Sequence, residues 1–183
     1  MLTKLAAIAG LTFTLISASA SAAFIGAYDV SNWTQAPATG LIDVTGAPNA
    51  ISLTSSDTGS ESPINTDFTI AAAGAGLVSF EWTYSTLDED GPTWDPFGYL
   101  LDGVFFQLTN DAGADIQSGS ASFAVIAGNV FGFRITATDD AAGSATATIR
   151  DFSAPSVVPE PASLALLGIG LAGLGAMRRR KTI

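Results

Sequence analysis

Apolar and polar residues alternate with period two along the middle of the chain. Val78, Phe80, Trp82 and Tyr84 fall on one side, and Ser79, Glu81 and Thr83 on the other. Phe131, Phe133 and Ile135 repeat the pattern, and in 145–150 small apolar residues alternate with threonines. Period two with β-branched and aromatic residues reads as half-buried strands, because successive side chains of a strand point to opposite faces. Further strands are expected near 25–30, 41–45, 50–54, 66–71, 98–109 and 120–126. Turn residues separate them at Thr58-Gly59, Asp90-Gly91-Pro92, Asn110-Asp111-Ala112-Gly113 and Gly128-Asn129. No long stripe of period 3.6 and no repeat of twenty to fifty residues competes with this reading.

Eight or nine short strands between Phe24 and Val158 suit an all-β domain. The expected architecture is one antiparallel β-sandwich of the jelly-roll kind, with an immunoglobulin-like sandwich as the alternative. Its core is expected to draw on Phe68, Ile70, Val78, Phe80, Trp82, Leu101, Phe106, Leu108, Phe123, Val125, Phe131, Phe133 and Ile149. The passenger domain is placed at 24–156.

The two ends break the pattern. Residues 1–23 run from Lys4 through an apolar stretch, Leu5 to Ile16, to a small-residue end with Ala20 and Ala22 in an A-x-A arrangement. This is the form of a secretory signal peptide, which uses the translocon and is cut by signal peptidase after about Ala22 or Ala23. At the other end, residues 162–177 are apolar and uncharged. As a helix they would reach about 24 Å at 1.5 Å per residue, short of the roughly twenty residues that usually span a bilayer. Arg178, Arg179, Arg180 and Lys181 follow directly and hold that end in the cytoplasm by the positive-inside rule. Just ahead stand Pro159, Glu160 and Pro161, whose prolines keep the backbone extended.

These three parts in order, over 157–183, resemble the PEP-CTERM sorting signal of Gram-negative bacteria. The resemblance implies recognition by exosortase, a membrane-embedded transpeptidase-like protease, and removal of the tail near Pro159-Glu160-Pro161. It also implies a bacterium that makes exopolysaccharide, a transient inner-membrane anchor, and a final place at the cell surface or outside the cell. Many passengers of this family share the present composition, which names no activity.

Charge and composition narrow the chemistry. The chain has no cysteine and no histidine, so disulfides, Ser-His-Asp triads, cysteine nucleophiles and His or Cys zinc ligands are excluded. Between Phe24 and Val158 only Arg134 and Arg150 stand against sixteen carboxylates, a net charge of −14. Such a surface repels nucleic acid and attracts cations.

The densest polar stretch is 87–103. Asp88, Asp90, Asp95 and Asp102 offer hard oxygen ligands of the kind calcium takes, though not at EF-hand spacing. The alternative is a solvated acidic loop around a Gly-Pro turn. No other cofactor is expected. Trp94 and Tyr99 in the same stretch offer aromatic faces on which a glycan stacks; otherwise they cover the end of the core. The Asn32-Trp33-Thr34 sequon carries little weight in a bacterial protein. A carboxylate glycosidase would need a pair of acids across a sugar bond, but plentiful acids make chance pairs easy to propose. Glu81 is better explained by a cross-strand pair with an arginine. The sequence thus describes an exported structural or adhesive protein, not an enzyme. A calcium-assisted exopolysaccharide-binding module is the first alternative and a weak glycosidase the second.

Overall fold

A computed structural model describes residues 23–156 and 167–171. The expected signal peptide up to residue 22, Pro159-Glu160-Pro161 and the basic run 178–181 lie outside the described residues. Residues 167–171 are helical; among the described residues no helix is long and apolar enough to cross a membrane.

Among the described residues ten strands follow one another: β1 (Thr34–Ala36), β2 (Leu41–Asp43), β3 (Ala50–Thr54), β4 (Ile64–Ala71), β5 (Gly76–Thr86), β6 (Phe97–Leu101), β7 (Val104–Gln107), β8 (Ile116–Val125), β9 (Val130–Ala137) and β10 (Ala145–Ser153). They form two five-stranded sheets, ordered β1-β4-β9-β6-β7 and β2-β3-β10-β5-β8. Every pairing is antiparallel. The pairs β6/β7, β5/β8, β4/β9 and β3/β10 nest inside one another, so the chain is one long hairpin rolled across two layers. This is the jelly roll, with β1 and β2 added at the edges; the nesting sets aside the immunoglobulin-like alternative.

The hairpin folds back at Asp102-Gly103, where φ is +48° and +82°. A two-residue turn with both φ values positive matches the twist of the flanking strands, and Asp-Gly is a preferred pair for it. The expected single strand over 98–109 is therefore two strands. The expected strand over 25–30 is instead a pair of 3-10 turns, Gly26–Tyr28 and Val30–Asn32. Gly26 at φ +60° breaks the extended backbone, and the Asp29 carboxylate accepts the Ser31 N–H at the start of the second turn.

Alternation places the core as expected along β5, where Val78, Phe80, Trp82 and Tyr84 are buried. Gly119 on β8 faces Trp82 across the pair. A Cβ there would lie 3.0–3.1 Å from the indole, so the small residue admits the large one. Ile70, Leu101 and Leu108 are only half-buried, and Phe106, on the edge strand β7, is 41% exposed.

The centre of the core lies where no alternation pointed. Trp33 stacks on Phe68 at 4.4 Å and on Phe133 at 5.8 Å, and meets Phe24, Phe131 and Phe152 at 5.6–5.8 Å. Its indole N–H donates to the Tyr28 carbonyl at 3.0 Å. Phe24 stacks on Phe152 at 4.7 Å, and the Tyr28 hydroxyl donates to the Pro155 carbonyl at 2.6 Å. The entering segment 24–33 and the leaving segment 152–155 are thus bound to each other at one end of the sandwich.

Trp33→Ala should cost about 3–5 kcal/mol, read as a lower urea midpoint with an unchanged slope. A loss under about 1 kcal/mol would show that the flanking rings close the gap.

Candidate functional site

The jelly roll sorts the charges. Ten of the sixteen passenger carboxylates lie in four loops at one end: Asp57, Glu61, Asp88, Glu89, Asp90, Asp95, Asp111, Asp115, Asp139 and Asp140. No lysine or arginine lies in those loops. The two passenger arginines sit within the sheets in cross-strand pairs. Arg134 makes a two-pronged pair with Asp67 at 2.7 and 2.6 Å, and Arg150 donates to Glu81 at 3.0 and 3.2 Å. The expected Glu81–arginine pair is therefore present, with Arg150 as partner.

Within the acidic end, the loop after β5 is fastened to the loop before β10. Leu87 N–H donates to the Ser144 carbonyl at 3.0 Å, Glu89 N–H to Ala142 at 3.2 Å, and Thr138 N–H to Trp94 at 2.7 Å. Asp88 and Asp95 are drawn inward by this fastening, while Glu89 and Asp90 stay outside. Asp102 is elsewhere. It lies at the far end of β6 from Asp95, roughly 20 Å away at 3.3 Å per residue. There its carboxylate accepts from the Asn129 amide at 2.8 Å and the Val130 N–H at 2.9 Å. The expected calcium set is divided, and among the described residues no three carboxylates converge on one point.

The buried carboxylates at this end differ in their partners. Asp140, fully buried, accepts from the Thr58 and Ser60 N–H groups at 3.2 and 3.1 Å and from the Thr58 hydroxyl. Burial opposes its charge, but the Ser56, Thr58 and Ser60 donors outweigh it and hold the carboxyl below the usual range. Asp95, 1% exposed, receives the Thr86 hydroxyl only at 3.4 Å. Burial pushes it up to about 7, with the Ser55 hydroxyl opposing and Asp88 adding to the rise. Asp88 is raised by burial as well. Its Oδ1 accepts the Asp90 N–H at 2.7 Å, while its buried Oδ2 has no hydrogen-bond partner.

The two aromatics part ways. Trp94 is 36% exposed in the acidic loop. Tyr99 lies between Phe106 at 4.9 Å and Phe123 at 4.3 Å, with both ring faces covered. It closes the flank of the sandwich and offers no face for a sugar.

A second feature was not foreseen. The outer face of the β2-β3-β10-β5-β8 sheet is a field of hydroxyls. Registers align Thr54, Thr146 and Ser85 in one row, Ser52, Thr148, Thr83 and Ser118 in the next, then Ser120 beside the Arg150–Glu81 pair. A shallow open groove of about 350 Å³ lies at one corner of it, beyond these rows, lined by Ser79, Phe80, Glu81, Ser120, Ala121, Ser122 and Asp151. The signal was the polar half of the same alternation that marked the core.

The PEP-CTERM protein-sorting motif matches residues 157–181, so the chain is one of the proteins that carry this sorting signal. The motif implies an exported protein, anchored in the membrane for a time and processed by exosortase. No curated protein matches the chain. Among solved structures, a family 35 carbohydrate binding module from Clostridium thermocellum is similar at 13% identity and TM-score 0.34, over 66% of this chain and 92% of that one. The CBM35 of Paenibacillus barcinonensis gives 11% and 0.31, over 66% and 93%. The N-terminal cellulose-binding domain of Cellulomonas fimi β-1,4-glucanase C gives 11% and 0.36, over 70% and 91%. At these scores the likeness does not extend to a ligand.

The carboxyls set opposite pH dependences. Asp140, lowered in the fold, contributes stability above its ordinary value of 3.8 that is lost as pH falls below it. Asp95, raised in the fold, removes stability as pH climbs from 3.8 towards about 7. With metal ions chelated, Asp95→Asn should therefore melt higher than the wild type at pH 8, and the two should converge near pH 4. A lower melting temperature at pH 8 would mean that the ionised carboxylate is stabilising there.

Proposed function

We propose that the chain is the precursor of a non-catalytic protein of the cell surface or extracellular matrix, sorted through its tail, with a structural and adhesive role. The sorting motif at 157–181, joined to a two-sheet jelly roll, carries this reading. Pro159, Glu160 and Pro161 are the segment offered to exosortase, and Arg178, Arg179, Arg180 and Lys181 fix the membrane orientation beforehand. The hydroxyl face supplies the adhesive surface. Rows of serine and threonine beside a carboxylate–guanidinium pair match the alternating donors and acceptors of a polysaccharide, and exopolysaccharide is the partner this favours.

The intact mass of protein recovered from the surface and medium should lack both the first 22 or 23 residues and everything after about Pro161. A mass that retains 162–183 would make the chain a tethered membrane protein. Exopolysaccharide from the producing cells should retain the protein in a co-sedimentation assay. The Glu81→Gln, Arg150→Gln double variant should weaken that retention about tenfold, a loss near 1.4 kcal/mol. Equal retention of variant and wild type would remove the hydroxyl face from the contact, and no retention of either would end the polysaccharide reading.

A further inference from the structure

The acidic end holds two buried carboxylates that no cationic side chain among the described residues neutralises. Asp95 and Asp88 are 1% and 6% exposed, out of bulk water. An ionised group in that position needs either an opposite charge or a full set of donors. Asp140, in the neighbouring loop, has such a set. Among the described residues Asp95 has only hydroxyls, with Thr86 at 3.4 Å, and Asp88 Oδ2 has no partner. The Tyr84 hydroxyl, on a side chain 2% exposed, is also unpartnered and lies within the field of both carboxylates. Both passenger arginines are engaged elsewhere, at Asp67 and Glu81.

We propose that Asp88 and Asp95 hold a divalent cation of the calcium class at this end of the sandwich. Two carboxylates balance its charge, and the unpartnered Oδ2 of Asp88 supplies a free ligand oxygen. Neutral oxygens from the loop hydroxyls and main chain, with water, complete a shell of six to eight, which calcium accepts in irregular geometry and magnesium does not. With only two charged ligands, the affinity belongs in the range of extracellular modules, about 10⁻⁴–10⁻³ M. The site is independent of the hydroxyl face, and its failure would leave the sorting reading untouched.

The test is thermal melting of the exported protein at pH 8, in chelator and in ~10 mM calcium. Calcium should raise the midpoint by about 3–6 °C, and magnesium at the same concentration should do much less. Asp88→Asn and Asp95→Asn should each abolish the rise while melting in chelator no lower than the wild type, which shows that they fold. Terbium luminescence excited through the neighbouring tyrosine and tryptophan should appear in the wild type, fall on adding calcium, and be absent in both variants. A wild-type midpoint that is the same in calcium and chelator would overturn the proposal. So would variants that keep the full calcium rise, since the ion would then sit elsewhere.

Discussion

The stack around Trp33 is the contact on which the rest of this sandwich depends. With no disulfide available, the layers are held mainly by burial and ring packing. Trp33 touches Phe68, Phe131 and Phe133 of one sheet and Phe152 of the other. It arrives from a segment ahead of β1, so it acts as a plug driven between finished layers. The indole suits this place because its one polar atom is satisfied locally, by the Tyr28 carbonyl. The flat rings then fill a gap that branched aliphatic side chains would fill less completely.

Scarcity of positive charge shapes everything outside that core. Each of the two passenger arginines is opposite a carboxylate on the neighbouring strand: Arg134 in register with Asp67, Arg150 with Glu81. The carboxylates of the loops must be held by other means. Asp140 is held by hydroxyl and main-chain donors from a segment some eighty residues earlier. Asp88 and Asp95 have no comparable set. The difference between neighbouring loops is therefore one of donor supply, and it separates an acid that belongs to the architecture from acids that do not.

Much of the fold was legible in the alternation. The inward residues of β5 and β9, and the alanine–threonine rhythm of β10, fixed which faces meet. The two sheets and their nesting required partners far apart in the chain, which alternation does not encode. Residues 25–30 read as a strand, but they fold as two 3-10 turns whose packing follows no period. The loop acids were read as one set, and the fold divides that set. Asp95 and Asp102 flank a five-residue strand, and an intervening strand sends its two flanks to opposite ends of the sandwich. Tyr99 looked available for stacking because its covering rings, Phe106 and Phe123, come from two other strands.

The joined entry and exit of the chain have a mechanical consequence. Phe24 and Tyr28 clasp Phe152 and Pro155 at one end, and the sorting tail begins just after Ser156. β10 runs from the acidic end to this clasp over nine residues, roughly 30 Å at 3.3 Å per residue. While the tail is held by the membrane, the clasp is the attachment point and the anionic loops form the free tip. A pull on the tail loads the clasp first, in shear across stacked rings and a tyrosine hydrogen bond, before any strand of the roll begins to peel.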